Sequence, residues 1–430
     1  MDLKRVMIPF FFLLCPLLAD AAQYGKAEKK MGLEDVRNLI HQNRSVIVEN
    51  LNRQVAAENL QQQKSERLPE LNVQGSGYLD NRIPLASGYK NSNSLLYHFN
   101  LNSELDVYTG GMHKFAIERM RKEHQLSEER LEAVEQEVQL QVYVLLYDIH
   151  RNIKYQDFIR SSIRLREKEY ERINQLYLNG LVLKSDLLRS KLYITDLQKD
   201  EVEIQNSIDI LSEELCVLLG MKERFSIVPA LEDNLENQVV ESFDALFQHA
   251  LAFSPLLKMR QTQQEREKTV LKEIRSERRP HLKLYAKYGV GSASPSFDFD
   301  HQLGGEIGAK VSFSLSSFYK TKHEMRAQKQ RIIREQLLLT DEQEQLKNKV
   351  SELYTRYMES LLNINRAMEK IEMSKESMRI LRNSYFNQQA LLIDVLESET
   401  QTMEASFEWV QAVVDSQKYY WSLKQICGYL

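Results

Sequence analysis

The side chains of this chain that could do acid–base or metal chemistry are few, and their spacing fits no catalytic site. The nine His are scattered, and none forms an H-E-x-x-H motif or pairs with a Cys at ligand spacing. There is no Gly-rich phosphate loop and no G-x-S-x-G elbow, and Gly289-x-Gly291 lies in a strand pattern with no helix opening after it. The sequence therefore predicts a protein that is not an enzyme and uses no cofactor or metal.

One pair of carboxylates has a suggestive spacing. Asp394 and Glu397 stand three residues apart and therefore lie on one face of a predicted helix. Asp394 begins that helix, where a carboxylate accepts from free backbone N–H groups and opposes the helix dipole. Asp186, after Ser185, begins an earlier helix and is predicted to be its N-cap.

Composition excludes several classes of protein. The 430 residues carry 57 Lys and Arg against 61 Asp and Glu, a formal net charge of -4, which does not favour a nucleic-acid binder or an acidic substrate. Three Cys are too few for a disulfide scaffold, and whether Cys216 and Cys427 pair stays open. The 15 Gly and 8 Pro are few for this length, which indicates long, uninterrupted regular structure.

The first residues, 1–21, have the pattern of a secretory signal peptide. Two basic residues precede an apolar run at 6–18, and small residues follow at 19–22. The run is too short to span a bilayer, and its neighbours make Cys15 a poor lipidation site. We expect cleavage after Ala21 or Ala22 and a mature chain outside the cytoplasm.

The mature chain is predicted to consist of two copies of one structural unit. Three landmarks recur with one common offset: Tyr177 and Tyr385, Asp186 and Asp394, Gly220 and Gly428. These landmarks predict a first repeat at 22–220, a linker at 221–240 and a second repeat at 241–430.

Each repeat is predicted to contain a helix, two strands, a very long helix, a tight turn and a return helix. Residues 112–177 and 320–389 contain no Pro or Gly, and either helix would be about 100 Å long. Their apolar residues recur every three or four positions and so form an apolar stripe along one side of each helix. Partner helices must cover this stripe. Return helices at 186–219 and 394–427 would cover half of it, and the shorter helices at 33–66 and 243–277 the other half.

Four segments alternate between apolar and polar residues, as strands with two unlike faces do. They lie at about 70–79, 97–108, 281–291 and 305–315. Charge is confined to their polar sides, at Glu104, Asp106, Lys283, Lys287, Glu306 and Lys310. The apolar faces suit either the core of a soluble hairpin or the lipid side of an outer-membrane barrel, which we favour. Four strands cannot close a barrel, so several chains would each contribute four.

Several short motifs occur in a specific order. They are Leu68-Pro69, Leu105-Asp106-Val107-Tyr108-Thr109-Gly110-Gly111, Leu218-Leu219-Gly220, Tyr177-Leu178-Asn179-Gly180-Leu181, Ser185-Asp186-Leu187-Leu188 and Ile393-Asp394-Val395-Leu396. On these motifs the chain resembles the TolC-like outer-membrane efflux protein family over essentially all of its mature length. The resemblance implies an α+β membrane protein: a homotrimer whose twelve-stranded β-barrel, four strands per chain, continues into a long α-helical coiled-coil periplasmic tunnel.

The resemblance also implies a function and partners. The protein would be the outer-membrane channel of a tripartite efflux or secretion system, with a periplasmic adaptor (membrane fusion) protein, an inner-membrane pump of the RND, ABC or a similar class, and outer-membrane lipid as partners, and no nucleic acid. The alternative is a soluble periplasmic helical-hairpin scaffold or adaptor. The cargo and the pump class are not readable from the sequence.

The resemblance assigns roles at the turns. Asp394 and Glu397 match an acidic pair that rings a tunnel constriction, where six carboxylates of a trimer would favour cations, while capping remains the alternative for Asp394. Tyr385, Ser185 and Asp186 match gate contacts, and a hydrogen bond between Asp186 and Tyr385 in a closed state is the alternative to the capping role of Asp186.

Gly180 with Leu181 matches a turn that an adaptor touches. Two departures concern the second repeat. Leu315-Ser316-Ser317 replaces a frequent Asp-Gly-Gly, and Asn387-Gln388-Gln389-Ala390 lacks the usual Gly and basic residue.

Overall fold

A computed structural model describes residues 28–82, 92–231, 241–292 and 301–429. The predicted signal peptide, with Cys15, lies outside these residues, as do residues 232–240 of the predicted linker. The helices are α1 (Leu33–Leu39), α2 (Arg44–Ser65), α3 (Met112–Leu178), α4 (Lys184–Leu218), α5 (Phe243–Phe253), α6 (Pro255–Ser276), α7 (Ser317–Phe386) and α8 (Leu392–Ile426). The strands are β1 (Glu28–Met31), β2 (Glu70–Arg82), β3 (Ser92–Tyr108), β4 (Ser226–Pro229), β5 (His281–Ser292) and β6 (His301–Ser312).

Two helices of unusual length dominate the molecule. Helix α3 has 67 residues and α7 has 70, so each extends for about 100 Å. Near the sheet, α3 packs between α2 and α6, and α6 packs on α7; towards the turns, α3 packs between α4 and α8, and α8 packs on α7. The return helices and the shorter helices thus divide the long stripes between them, as the sequence predicts.

The apolar stripes of the long helices form separate cores. Val138, Val142, Leu146 and Ile149 of α3 are buried with the ends of α2 and α4. A second core joins Val350 and neighbouring residues of α7 to α5 and the end of α8. Cys216 lies in the first core and Cys427 in the second; both are buried and free, so they do not pair.

Four antiparallel strands form the larger sheet, in the order β2-β3-β5-β6. Strand β3 begins at Ser92, earlier than predicted. Strand β6 ends at Ser312, so Phe313 and Leu315, which alternate as a strand would, instead lie in the connection to α7. A small parallel sheet joins β1 to β4.

The register of the larger sheet separates apolar from charged side chains. Val73 pairs with Leu101, and Leu101 with Tyr288 on the next strand. Side chains of residues directly opposite each other lie on the same face, so these three form one apolar row. Asp106, Lys283 and Lys310 form a row on the other face in the same way.

The apolar face of the sheet is not covered by any described part of the chain. Val73 is 82% exposed and Ile307 88% exposed, although both would be core residues in a soluble hairpin. Among the described residues, no helix combines the length and apolar character needed to cross a bilayer.

Two adjacent arginines hold the sheet to both long helices. Arg279 Nη1 donates to the carbonyl of Gly110, before α3, at 2.9 Å. Arg278 Nε donates to Thr321 Oγ1 at 2.8 Å, and its Nη2 donates to the carbonyl of Phe318, both in α7. The connection from β3 to α3 contains Gly110, with φ 66°. The connection from β6 to α7 instead leads to Ser317, whose hydroxyl donates to the carbonyl of Ser314 at 2.6 Å. This bond tightens the second connection without glycine.

Candidate functional site at the helical tip

Each long helix ends in a turn, and the two turns have the same hydrogen bonds. After α3, Gly180 has φ 73° and donates to the carbonyl of Tyr177 at 2.9 Å. After α7, Gln388 has φ 63° and donates to the carbonyl of Tyr385 at 2.9 Å. A left-handed residue with these bonds is the usual end of a helix. The second turn therefore keeps its geometry without glycine because Gln388 adopts the left-handed conformation. We call the two turns and the adjoining helix ends the tip.

The predicted acidic pair lies at the start of α8. The backbone N–H of Leu391 donates to Asp394 Oδ2 at 3.2 Å, so Asp394 caps the helix. Glu397, one turn further, is exposed. The capping role of Asp394 is thus observed, and Glu397 has its carboxylate in solvent on the same helix face.

The start of α4 corrects one prediction. Leu183, with extended backbone angles, is the N-cap, and Asp186 is the third residue of the helix rather than its cap. Ser185 is exposed in the same first turn. The prediction placed the helix start too late because Ser185 and Asp186 are typical N-cap residue types, whereas Leu is not.

Tyr385 lies in a small core that joins the two turns. Its side chain is 8% exposed and packs with Ile173, Leu392 and Leu396. Its hydroxyl has no hydrogen-bond partner among the described residues. Burial, helped by the negative charge of Asp186, raises the pKa of Tyr385 to about 12. Asp186 is therefore close enough to act on Tyr385 electrostatically, but the two do not form the hydrogen bond that the resemblance implies for a closed state.

A group of four charged residues, three of them buried and Arg382 partly exposed, lies further from the turns and was not predicted from the sequence. Arg166 Nη1 contacts Glu169 Oε2 at 2.8 Å, and its other terminal nitrogen contacts Glu399. Arg382 contacts Glu169 at 2.7 Å and Glu399 at 2.9 Å. Two cations and two anions from α3, α7 and α8 thus close a ring, which we call the charge ring.

Three residues of the charge ring, Arg166, Glu169 and Glu399, are almost fully shielded from solvent. Arg166 is 1% exposed, and its guanidinium lies over the ring of Tyr193 from α4, 5.0 Å from the centroid. Burial lowers the pKa of Arg166, and the charge of Glu169 opposes this effect. Arginine stays charged under such conditions, so all four helices meet at a permanently ionised centre. A signal in the sequence was the Arg in the stripe Ile159, Ile163, Arg166 and Ile173, where an apolar residue belongs.

The outer surface of the tip is apolar. Leu178, Leu181, Leu183 and Leu391 are between 53% and 71% exposed. A Cβ at Gly180 would meet no atom within 4 Å, so space is open beside the turn. Exposed leucines of this kind favour contact with another molecule.

The outer surface of the tip suits binding to another molecule. Among the described residues no cluster of His, Cys, Asp or Glu is arranged to hold a metal ion. Its charged groups are paired in the charge ring, cap a helix or lie in solvent. What the arrangement can do is hold four helices together and offer an apolar surface.

Comparison with known proteins identifies the class. The model of the family described as "Outer membrane efflux protein" matches residues 36–221. Over these residues the chain is similar to the outer membrane efflux protein family, in agreement with the resemblance. No match was found among curated proteins.

Solved structures share the fold over nearly the whole chain. The outer-membrane channel OprN covers 93% of this chain and 90% of its own, with a TM-score of 0.79 and 12% identity. CusC covers 92% of each chain, with a TM-score of 0.81 and 15% identity. The outer membrane protein VceC from Vibrio cholerae covers 92% of this chain and 96% of its own, with a TM-score of 0.75 and 15% identity. At these identities the likeness concerns the fold.

Proposed function

We propose that the protein is the outer-membrane channel of a tripartite efflux or secretion system. It gives a passive exit duct to cargo that an inner-membrane pump delivers with a periplasmic adaptor. The observation that carries this proposal is the uncovered apolar face of a four-stranded sheet, continued by helices of about 100 Å. An apolar outer face with a charged inner face suits a barrel wall between lipid and water.

The open edges of the sheet support a barrel made by several copies. All neighbours in the order β2-β3-β5-β6 are antiparallel, so the edge strands β2 and β6 run in opposite directions. Strand β6 of one copy can therefore pair antiparallel with β2 of the next. Since unpaired edges are costly in lipid, we propose closure, with three copies and twelve strands as in the family.

Unpartnered apolar stripes on the helices support the same assembly. Helix α7 lies at one side of the molecule and exposes Leu337, Leu362 and Met373 by more than half. Helix α4, at the other side, exposes Leu192 and Ile210 by more than 60%. These two sides face each other in a ring of copies, so each stripe would be buried by the next chain.

The order of elements supports an internal duplication. Each half contains short helices, two strands, a long helix, a turn and a return helix of 35 residues. The two left-handed turns are the strongest single likeness. We propose that 22–220 and 241–430 are the two repeats.

Roles at the tip follow from this proposal. The exposed leucines with Gly180 and Leu181 would contact the adaptor. Asp394 and Glu397 would ring a cation-attracting constriction, and Tyr385 with Ser185 and Asp186 would belong to the gate.

Fractionation of cells that make the full-length protein tests the proposal. We expect a heat-resistant trimer in the outer-membrane fraction that forms pores in planar bilayers. A soluble monomer in the periplasm would overturn the proposal and support the alternative of a helical-hairpin scaffold. The exposed apolar sheet face speaks against that alternative, because nothing described in the chain shields it from water.

A further inference from the structure

A band of cations lies where the helices meet the larger sheet. Its members are exposed lysines and arginines on three neighbouring helices or directly after them: Lys114, Lys272, Arg275, Arg279 and Lys322. We call this band the basic collar.

The members on α6 lie on the side of the apolar sheet face. Glu273 and Glu277 lie on the opposite side, since Glu277 interacts electrostatically with His281, which belongs to the polar face of β5. Helical geometry places Arg275 about 160° around the axis from both glutamates, and Lys272 about 100° from Glu273 and about 140° from Glu277. They therefore face outward, away from the polar interior.

The members on α7 and α3 face the same way. Lys322 follows Phe318 by four residues and shares its helix face, and the ring of Phe318 meets that of Phe313 edge to face at 5.9 Å. Phe313 follows directly after β6 and is 48% exposed. Lys114 shares a face with Glu118, which Lys272 contacts from α6.

The collar has almost no acidic partners. Lys272 contacts Glu118 at 3.3 Å, and Arg279 donates to the backbone carbonyl of Gly110. Within the described residues, Lys114, Arg275 and Lys322 have no carboxylate at ion-pair distance. Cations three or four residues apart on one helix face repel each other, so this surface is complementary to an anion.

The level of the collar coincides with a membrane headgroup layer. At 1.5 Å per helical residue, Lys114, Lys272, Arg275 and Lys322 lie about 2 to 8 Å from the ends of their helices that face the sheet, and Arg279 lies between α6 and β5. A bilayer has a headgroup layer of about 5 to 7 Å on each side of its apolar core, and lysine or arginine side chains extend towards it. Tyr108, Phe318 and Tyr319, each 47% to 66% exposed, lie at the same level, as aromatic residues do at membrane interfaces.

We propose that the basic collar binds the phosphate groups of anionic phospholipids in the leaflet that borders the helices. This inference rests on the proposed outer-membrane location. It adds a lipid-binding site on the outer surface, separate from the tunnel and the tip. Each cation contributes through attraction to the lipid phosphate, and Phe318 places Lys322 next to the acyl chains.

Native mass spectrometry of the full-length trimer, titrated with phosphatidylglycerol or phosphatidylcholine, tests the proposal. We expect the wild type to bind phosphatidylglycerol more tightly. The triple variant Lys114→Gln/Arg275→Gln/Lys322→Gln should lose at least about tenfold in that affinity, since each cation near a lipid surface contributes about fivefold. Its affinity for phosphatidylcholine should not change. Arg279 is left in place because it also holds Gly110.

A matched variant, Lys168→Gln/Arg366→Gln/Lys375→Gln, removes the same charge from exposed positions on the tip half of the long helices. It should keep the wild-type preference. Equal binding of both lipids by the wild type, or a preference kept by the collar variant, would overturn the proposal. Displacement of the lipid by millimolar inorganic phosphate would also overturn the proposal. The same holds if the collar variant keeps lipid binding and loses only the binding of an acidic partner protein. Heat-resistant trimers that still conduct in phosphatidylcholine bilayers would show that the proposed function survives such a failure.

Discussion

Gly180 and Gln388 occupy equivalent positions in the two tip turns, with φ of 73° and 63°. Glycine adopts this conformation without strain, whereas a residue with a Cβ does so at a cost of about 1 kcal/mol. The second turn is thus under strain that the first avoids. The hydrogen bonds of both turns are the same, so the strain is local to one residue.

Replacing Gln388 with Gly should stabilise the protein by about 1 kcal/mol, since it removes the strain at that position. The converse change, Gly180→Gln, should destabilise by a similar amount through the backbone alone, because no atom lies near a Cβ there. Guanidinium unfolding followed by circular dichroism measures both. The neighbouring change Gln389→Gly is the control and should not stabilise; equal gains from both glycine substitutions would contradict the assignment.

Breaking the charge ring should be costly. Arg382→Gln leaves Glu169 and Glu399, both largely buried, with one cation between them. Because Arg382 itself is partly exposed, we expect a cost of about 3 kcal/mol, the lower end of the range for breaking a buried ion pair. Arg379, on the same helix, makes an exposed ion pair with Glu376. The control change Arg379→Gln should therefore cost less than about 1 kcal/mol. The comparison of the two unfolding midpoints is the measurement. Similar losses in both variants would mean that the ring contributes no more than a surface pair.

The phenol of Tyr385 should make stability fall at high pH. Its pKa is raised from 10.0 to about 12, so the folded state favours the neutral form. The contribution is complete below pH 10, the unfolded value, and is lost as the pH rises from 10 to 12; at most about 3 kcal/mol is involved. Tyr385→Phe removes this dependence and also removes an unpartnered hydroxyl, so it should not destabilise at pH 7. The difference in unfolding free energy between wild type and variant, measured from pH 8 to 12, tests this, and a constant difference would refute it.

The acidic pair can be tested through ion conduction. Glu397→Ala removes an exposed carboxylate, and Asp394→Ala removes one that also caps α8. In single-channel recordings, the double variant should conduct better or lose block by multivalent cations, with block weakened about fivefold for each carboxylate. Asp394→Asn retains an oxygen for the cap and separates charge from folding. Unchanged conductance and unchanged block in all variants would reject an acidic constriction.

The sequence predicts those parts of the fold that local pattern controls. Runs without Pro or Gly predict α3 and α7, and alternation predicts the faces of the strands, including the row of Val73 and Leu101. Local pattern fails where a residue does not adopt the secondary structure that its position in the pattern predicts. Phe313 alternates like a strand residue, but the serine bonds that follow it form a turn.

The charge ring shows why the rest of the site was not predictable. Glu169 and Glu399 belong to different helices, and only the packing of α3 against α8 brings both to Arg166. The left-handed conformation of Gln388 was not predictable either. It is imposed by the helices on either side of the turn, and glutamine as a residue type does not indicate it.

The adjacent arginines Arg278 and Arg279 have a mechanical consequence. One holds the connection into α3 and the other the start of α7, so both long helices are fastened to the sheet through the same two residues. Torque applied to the distant end of either helix therefore reaches the sheet at a shared anchor.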